Sequence, residues 1–226
     1  MKTFLRFMVI TTFAIVGFLT FSAFKPFSNT GDPLDDISYY GGAYSVLYSQ
    51  EFEQPLEIAY TVNCEVPKLD RKGMDFKHTS EFTRNIKTSD NDDYKNNVWD
   101  KGHLAPAASF ACNEAQFNQT FDWLNCALQH ESLNRGPWKD IEAFERDLAK
   151  VYDTVHVTIR CDFNPPYDVL ETGATIPNGF RRYIEFGDQE IWLYFPNDST
   201  VKGRDWSEFK TKLRRFEPRV SRLKRK

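Results

Sequence analysis

One helix-like run followed by three strand-like runs fills the second half of the chain, and that order restricts the fold more than any other feature. Trp138, Ile141, Leu148 and Tyr152 recur near the 3.6-residue period, with Phe144 and Val151 at the edge of the stripe, so 138–152 is expected to be an amphipathic helix. TVHVTIRC (154–161) alternates and is rich in β-branched residues, as a strand requires. NPPYD then turns the chain, and GFRRYIEF (179–186) and EIWLYF (190–195) read as two further strands. Upstream, PLEIAYTVNCEV (55–66) alternates in the same way. A short strand is expected within 98–110, leading into a loop at Pro106, and another within 120–127. The charged stretch 67–97 reads as a long loop. These elements make an α+β domain with a central, mostly antiparallel sheet flanked by helices.

Composition narrows the class. A 41% hydrophobic content with 20 Phe, 10 Tyr and 5 Trp excludes a disordered chain, and a mean hydropathy of -0.56 excludes a multispanning membrane protein. The net charge of -3 is unevenly spread. Residues 210–226 hold nine Lys or Arg and one acid, so the remaining chain, with 20 basic and 31 acidic residues, is acidic. A basic tail of this kind reads first as a solvated terminus and second as a contact for a polyanion or an acidic membrane.

Lys2 and Arg6 precede an apolar run from Met8 to Phe24, the order of a signal peptide. The run is long for that role and short for a spanning helix, which needs about 20 residues. Residues 1–26 are therefore expected to be a signal peptide or a membrane anchor, 27–40 a polar linker, 41–209 the folded domain and 210–226 the tail. The expected location is secreted or periplasmic, or anchored with the folded part outside. A mitochondrial presequence fits less well because Arg is sparse. Export agrees with an even number of cysteines, Cys64, Cys112, Cys126 and Cys161, which permit two disulfides in three pairings. A zinc site through Cys126 and His130 has only a lone i,i+4 pair behind it.

The chemistry concentrates in WDKGHLAPAASF (99–110) and TFDWLNCALQHESLNRGPWKDIEAFERDL (120–148). His103 can take a proton from water near neutral pH when a neighbour orients it. Gly102 allows a sharp bend or close approach to a ligand, and Lys101 offers a cation to a phosphate. Pro137 belongs in a first helical turn, so Asn134 stands at or just before a helix start. Asn134, Trp138 and Glu142 are four apart and share a stripe, but about 12 Å of rise separates the first from the last. One ion bound by Asn134 would therefore meet Glu142 through water, and an Asn carbonyl with several waters suits Mg²⁺. Trp138 is expected in the core, Asp100 as an orienting or turn-bonding residue, and His78, His130 and His156 as structural or surface residues.

These residues resemble the DNA/RNA non-specific endonucleases, the endonuclease G-like group of ββα-metal (His-Me finger) nucleases. The family pattern D-R-G-H-x-A-P, followed about thirty residues on by N-x-x-x-W-x-x-L-E, is met by Asp100, Gly102, His103, Ala105 and Pro106 and by Asn134, Trp138 and Glu142, with Ile141 for Leu. Asn125 and Gln129 match its upstream Asn and Gln. The resemblance implies a Mg²⁺-dependent hydrolase, Mn²⁺ being an alternative ion, that cuts phosphodiester bonds of DNA and RNA through phosphate contacts. It implies His103 as general base, Asn134 as the direct metal ligand and Glu142 as the residue orienting metal-held water. Asn125 would hold the His103 region or the phosphate, and Arg71 would stabilise transition-state charge. Two stretches depart from the pattern. Lys101 replaces its Arg, which keeps charge but loses a planar fork, and TFDWLN replaces TFYLSN, introducing Asp122 and Trp123. A catalytically weak member that binds nucleic acid or a protein partner is the alternative these departures leave open.

Overall fold

Alternation in the three C-terminal runs translates directly into a sheet with one buried face. A computed structural model describes residues 36–212. In it β1 (Ile37–Tyr40), β2 (Tyr44–Ser49), β3 (Gln54–Thr61), β6 (Val155–Asp162), β7 (Gly179–Phe186) and β8 (Gln189–Pro196) form one antiparallel sheet in the order β1-β2-β3-β6-β7-β8. Inward residues follow the two-residue period: Val155, Val157, Ile159 and Cys161 on β6, Phe180, Ile184 and Phe186 on β7, Leu193 and Phe195 on β8. Each large side chain buried this way contributes about 1.5–3 kcal/mol of transfer free energy.

A second, smaller sheet pairs β4 (Trp99–His103) with β5 (Cys126–His130) in antiparallel register, His103 opposite Cys126 and Asp100 opposite Gln129. A short helix α1 (Glu114–Gln119) lies in the connection between them. After β5 come one turn of helix, α2 (Glu131–Asn134), and then α3 (Pro137–Ala149). Pro137 occupies the first turn of α3, where its missing N–H costs nothing. Gly136 precedes it because a Cβ there would lie 2.7 Å from the Ser132 carbonyl oxygen. Trp138, Ile141 and Glu145 form the buried stripe of α3. Trp138 seats its ring between Phe180 and Phe195, with centroids 5.2 and 5.6 Å away. The two-strand-plus-helix unit is thereby clamped onto the large sheet.

Several boundaries differ from expectation. Ile37–Tyr40 is not linker but an edge strand paired with Ser45–Tyr48. Lys210 bridges to Leu193, and the Thr211 amide donates to the Trp192 carbonyl, so the start of the basic tail belongs to the folded body. The strand expected in 98–110 stops at His103, and the one expected in 120–127 begins only at Cys126, because Asp122 caps a tight turn over Trp123–Asn125. The helix ends at Ala149, leaving Tyr152 to pack on Phe186 from the following loop. The expected signal or anchor, most of the linker and most of the tail lie outside the described residues. Among the described residues no helix is long and apolar enough to cross a membrane.

Of the two disulfides the cysteine count permits, one is formed, Cys64–Cys112. Cys126 and Cys161 are free thiols, each buried on its own strand. Cys126 instead shares a hydrogen bond of 3.2 Å with the Tyr94 hydroxyl, and burial pushes its thiol pKa up. The zinc reading fails on geometry. Cys126 and His130 lie at opposite ends of a strand, where four residues span about 13 Å, and His130 Nδ1 accepts from the Ser132 amide as the cap of α2. Among the described residues no group of three His, Cys, Asp or Glu is placed to hold a metal.

Candidate functional site

β4 and the segment that follows it, α2, α3 and the loop between β3 and β4 enclose an open cleft of about 860 Å³. Its lining unites Arg71 of the loop, Lys101 and His103 of β4, Asn134 of α2 and Glu142 of α3. Five of the six residues expected at a site therefore face one cavity, and the sixth, Asn125, stands behind it.

His103 ends β4 with its ring 4.4 Å from Phe76 and edge-on to Phe121 at 4.9 Å. Its backbone carbonyl accepts from the Trp138 indole at 3.2 Å, which ties the strand end to α3. Burial, with the Arg71 charge adding to it, lowers the imidazole pKa to about 3, so the ring is neutral at neutral pH. Nε2 has no hydrogen-bond partner in the protein. A neutral ring in the cleft wall with an unpaired nitrogen can act as a proton acceptor once water or substrate reaches that nitrogen.

Asn125 is wholly buried and cannot reach a phosphate. Its Oδ1 accepts from the Ala105 amide at 2.7 Å, and its Nδ2 donates to the carbonyls of Ala105 (2.8 Å) and Thr120 (2.7 Å). Of its two expected roles, only holding the segment after His103 fits. Gly102 also serves packing rather than a ligand: a Cβ there would lie 2.2 Å from Gln129 Oε1. Gln129 is fully buried under β4 and does not face the cleft.

Asn134 donates through Nδ2 to Asp100 Oδ2 at 2.9 Å. Asp100 is in turn gripped by Arg135, whose Nε and Nη2 donate to its two oxygens at 2.9 and 2.7 Å. Burial raises the Asp100 pKa, but the Arg135 and Asn134 donors outweigh it and hold the carboxyl below its usual range. With its amide nitrogen engaged, Asn134 has its carbonyl oxygen left for a cation. Glu142 is half-buried, and burial pushes its carboxyl up to about 8 against the pull of Arg182, Arg146 and Arg71, with Glu145 reinforcing the rise. A carboxyl so placed gains by a cation beside it. An amide oxygen and a poorly solvated carboxylate on one wall make a donor set suited to a hard, hydrated divalent ion.

Lys101 does not present a free cation. Its Nζ lies 2.7 Å from Asp75 Oδ1, also donates to Asn91 Oδ1, and stands 5.5 Å over the Trp123 ring. Trp123 is buried, stacked between Phe76 at 5.5 Å and Tyr94 at 6.2 Å. The two departures from the family pattern thus face each other, a compact ammonium over an indole where the pattern has Arg and Leu. Asp122, the third unusual residue, is buried and accepts from Thr79 through both its amide (2.7 Å) and its hydroxyl (2.6 Å), anchoring the loop that leads from Arg71.

The cleft also holds Arg135, Lys139 and Arg146, which sequence reasoning passed over. Their spacing was the available signal: Lys139 and Arg146 stand three residues before and four after Glu142, hence on its face of α3. The Cys64–Cys112 disulfide ties the base of the Arg71 loop to the chain beyond His103, reinforced by bonds from the Lys68 and Leu69 amides to the Ala111 carbonyl at 3.2 and 3.1 Å.

Comparison with known proteins identifies the family and the fold. A family model described as DNA/RNA non-specific endonuclease matches residues 25–221. Mitochondrial endonuclease G of Bos taurus is 32% identical over 88 residues, 39% of this chain and 29% of that protein. Nuclease C1 of Cunninghamella echinulata var. echinulata is 28% identical over 137 residues, 54% of each. The chain thus spans under a third of the first relative and about half of the second. A solved structure of an EndoG/EndoGI complex, concerned with EndoG inhibition, superposes with a TM-score of 0.65 at 22% identity, covering 79% of this chain and 81% of that one, a likeness of fold. With the family model matching most of its length, the chain belongs to the DNA/RNA non-specific endonuclease family.

Proposed function

We propose that this protein is a Mg²⁺-dependent, sugar-non-specific endonuclease that hydrolyses backbone phosphodiesters of DNA and RNA. The observation that carries the reading is the convergence of a neutral His103, an Asp100-held Asn134 and Glu142 on one open cleft edged with cations. Members of the family depend on a metal ion. Here Asn134 would hold it directly and Glu142 through water. When bound, such an ion neutralises the scissile phosphate and eases departure of the leaving oxygen.

The protein's own groups do the rest. His103 accepts a proton from the attacking water, and an incoming phosphate anion raises the basicity that burial has depressed. Trp138 holds the His103 carbonyl and Asn125 the backbone two residues on. Asp100 keeps the Asn134 amide turned the right way. Arg71 and Arg146 meet the phosphate oxygens from the loop and from α3. Water forms a bond to phosphorus, the bond to the 3′ oxygen breaks, and a 5′-phosphate end results. Such contacts read phosphate rather than base edges, so sequence preference is slight.

We assign the protein to an oxidising, exported location, which the Cys64–Cys112 disulfide favours; the mitochondrial names of relatives keep that compartment as the alternative. The deciding assay is plasmid nicking with Mg²⁺ and with EDTA. Cleavage is expected only with metal and is lost in His103→Ala. Equal, negligible cleavage by both proteins would refute the enzyme and leave a nucleic-acid-binding module.

A further inference from the structure

Sorting the cleft's cations by their existing partners changes which of them can serve the substrate. Lys101 is paired with Asp75, and its ammonium is further held by Asn91 and the Trp123 ring. Arg135 is paired with both Asp100 and Glu131. Arg71 and Lys139, by contrast, make no side-chain hydrogen bond or ion pair among the described residues, and Arg146 has a buried Nη1 without a partner. Lys139 is exposed in the first turn of α3, on the cleft side, three residues before Glu142. Arg146 stands one turn beyond Glu142 on the same face, so the two cations bracket that carboxylate along about 10 Å of helix.

We propose that Lys139 is a phosphate-binding residue of this nuclease, holding a backbone phosphate next to the scissile one, and that it takes the part the family pattern assigns to residue 101. The proposal rests on the nuclease reading above. An ammonium with no internal partner gives up only hydration when it meets a phosphate, whereas Lys101 must also leave Asp75, Asn91 and Trp123. The position beside α3's amino end suits the purpose, since the helix dipole there adds to the attraction for an anion. A Lys acts as a point charge without base recognition, in keeping with a strand track that is indifferent to sequence.

The test is binding of a short fluorescein-labelled DNA duplex in EDTA by the full-length His103→Ala protein, followed by anisotropy across 50–200 mM salt. Each phosphate contact contributes about 0.9 to the slope of log affinity against log salt. Adding Lys139→Ala should flatten the slope by about 0.9, so that its affinity deficit shrinks about threefold between those salt concentrations. Lys139→Arg should keep the slope, and the paired change Lys101→Ala with Asp75→Asn, which strands no charge in the cleft, should leave it unchanged. Ala is the best helix former, and Lys139 is exposed, so the variant folds. A parent slope retained in Lys139→Ala, or one flattened by the paired change instead, overturns the assignment. Failure of the parent to bind the duplex, together with wild type that does not nick plasmid, overturns the nuclease reading itself.

Discussion

Behind α3 lies a fully buried ion pair whose removal should unseat the candidate site. Arg182 on β7 donates through Nε to Glu145 Oε1 at 2.6 Å and through Nη2 to Glu145 Oε2 at 2.8 Å and the Tyr60 hydroxyl at 2.7 Å. Tyr60 donates in turn to Glu145 Oε2 at 2.8 Å. The guanidinium stands 4.5 Å over the Trp138 ring, the same ring whose indole holds the His103 carbonyl. Arg182→Met keeps the volume but strands an uncompensated carboxylate at zero exposure, a loss of about 3–5 kcal/mol. For a body of this size that lowers the melting temperature by about 6–20 °C. Replacing both charges, Arg182→Met with Glu145→Leu, removes the stranded charge and should return stability to within about 1 kcal/mol of wild type or above it. Thermal denaturation by circular dichroism at pH 7 on the four proteins of the cycle measures both. A single variant that loses under about 1 kcal/mol, or a double no better than the single, would show that the pair does not carry the structural load assigned to it. The double should still nick DNA more slowly than wild type, because Trp138, whose indole holds the His103 carbonyl, has lost its cation.

Further expectations concern the cleft and its tether. Glu142 has its folded-state pKa raised to about 8, so the metal-free fold binds more protons than the unfolded chain between the ordinary carboxylate value and 8. Its contribution is present at low pH and is lost as pH rises through 8; Glu142→Gln should flatten the fall in metal-free melting temperature between about pH 5 and 8. Asp75→Asn removes a partly exposed pair and should cost under about 1 kcal/mol. It frees Lys101, so duplex affinity should rise and the salt slope should steepen by about 0.9, both read by anisotropy. Asp100→Ala releases the Asn134 amide and should lower Mg²⁺ affinity by about 10–100-fold, seen as a shifted Mg²⁺ requirement in the nicking assay. Reduction of Cys64–Cys112 opens a 48-residue separation and should cost about 4 kcal/mol on the chain-entropy estimate, checked by melting with and without reductant.

What the sequence made legible follows from what is local. His103, Asn134 and Glu142 lie on β4, α2 and α3, and β4 is paired with β5, which runs directly into α2 and α3, so their placement depends on elements near in sequence and the spacing carried that information. The three C-terminal strands were readable because one face of each is buried and the other is not. β2 escaped notice because its burial is nearly continuous, with Tyr44, Ser45 and Val46 all inside, and leaves no alternation to see. The partners of Lys101 were not readable for a different reason. Its partners Asp75 and Asn91 lie 26 and 10 residues upstream in a loop without periodicity, and its Trp123 platform lies 22 residues downstream. Arg182 is the extreme case, a charge in the middle of a strand pattern whose partners come from β3 and α3.

An acidic body can still serve the polyanionic substrate proposed for it. Net charge acts through a field that salt screens over about 8 Å, so a phosphate in the cleft responds chiefly to the groups that line it. Those are Arg71, Lys101, Arg135, Lys139 and Arg146 against Asp75, Asp100 and Glu142. Asp75 and Asp100 are already spent on Lys101 and Arg135. What remains is three cations set around one carboxylate that itself gains from a cation, so the cleft is locally positive before any metal enters it. The acids elsewhere then limit loose, non-productive binding over the rest of the surface, while the cleft keeps its own attraction. Charge-reversing Lys139 should therefore weaken duplex binding more than charge-reversing Lys150, which sits on the far end of α3 outside the cleft and is paired with Asp147. Equal losses in anisotropy from the two changes would mean that the overall charge, and not the cleft, governs association.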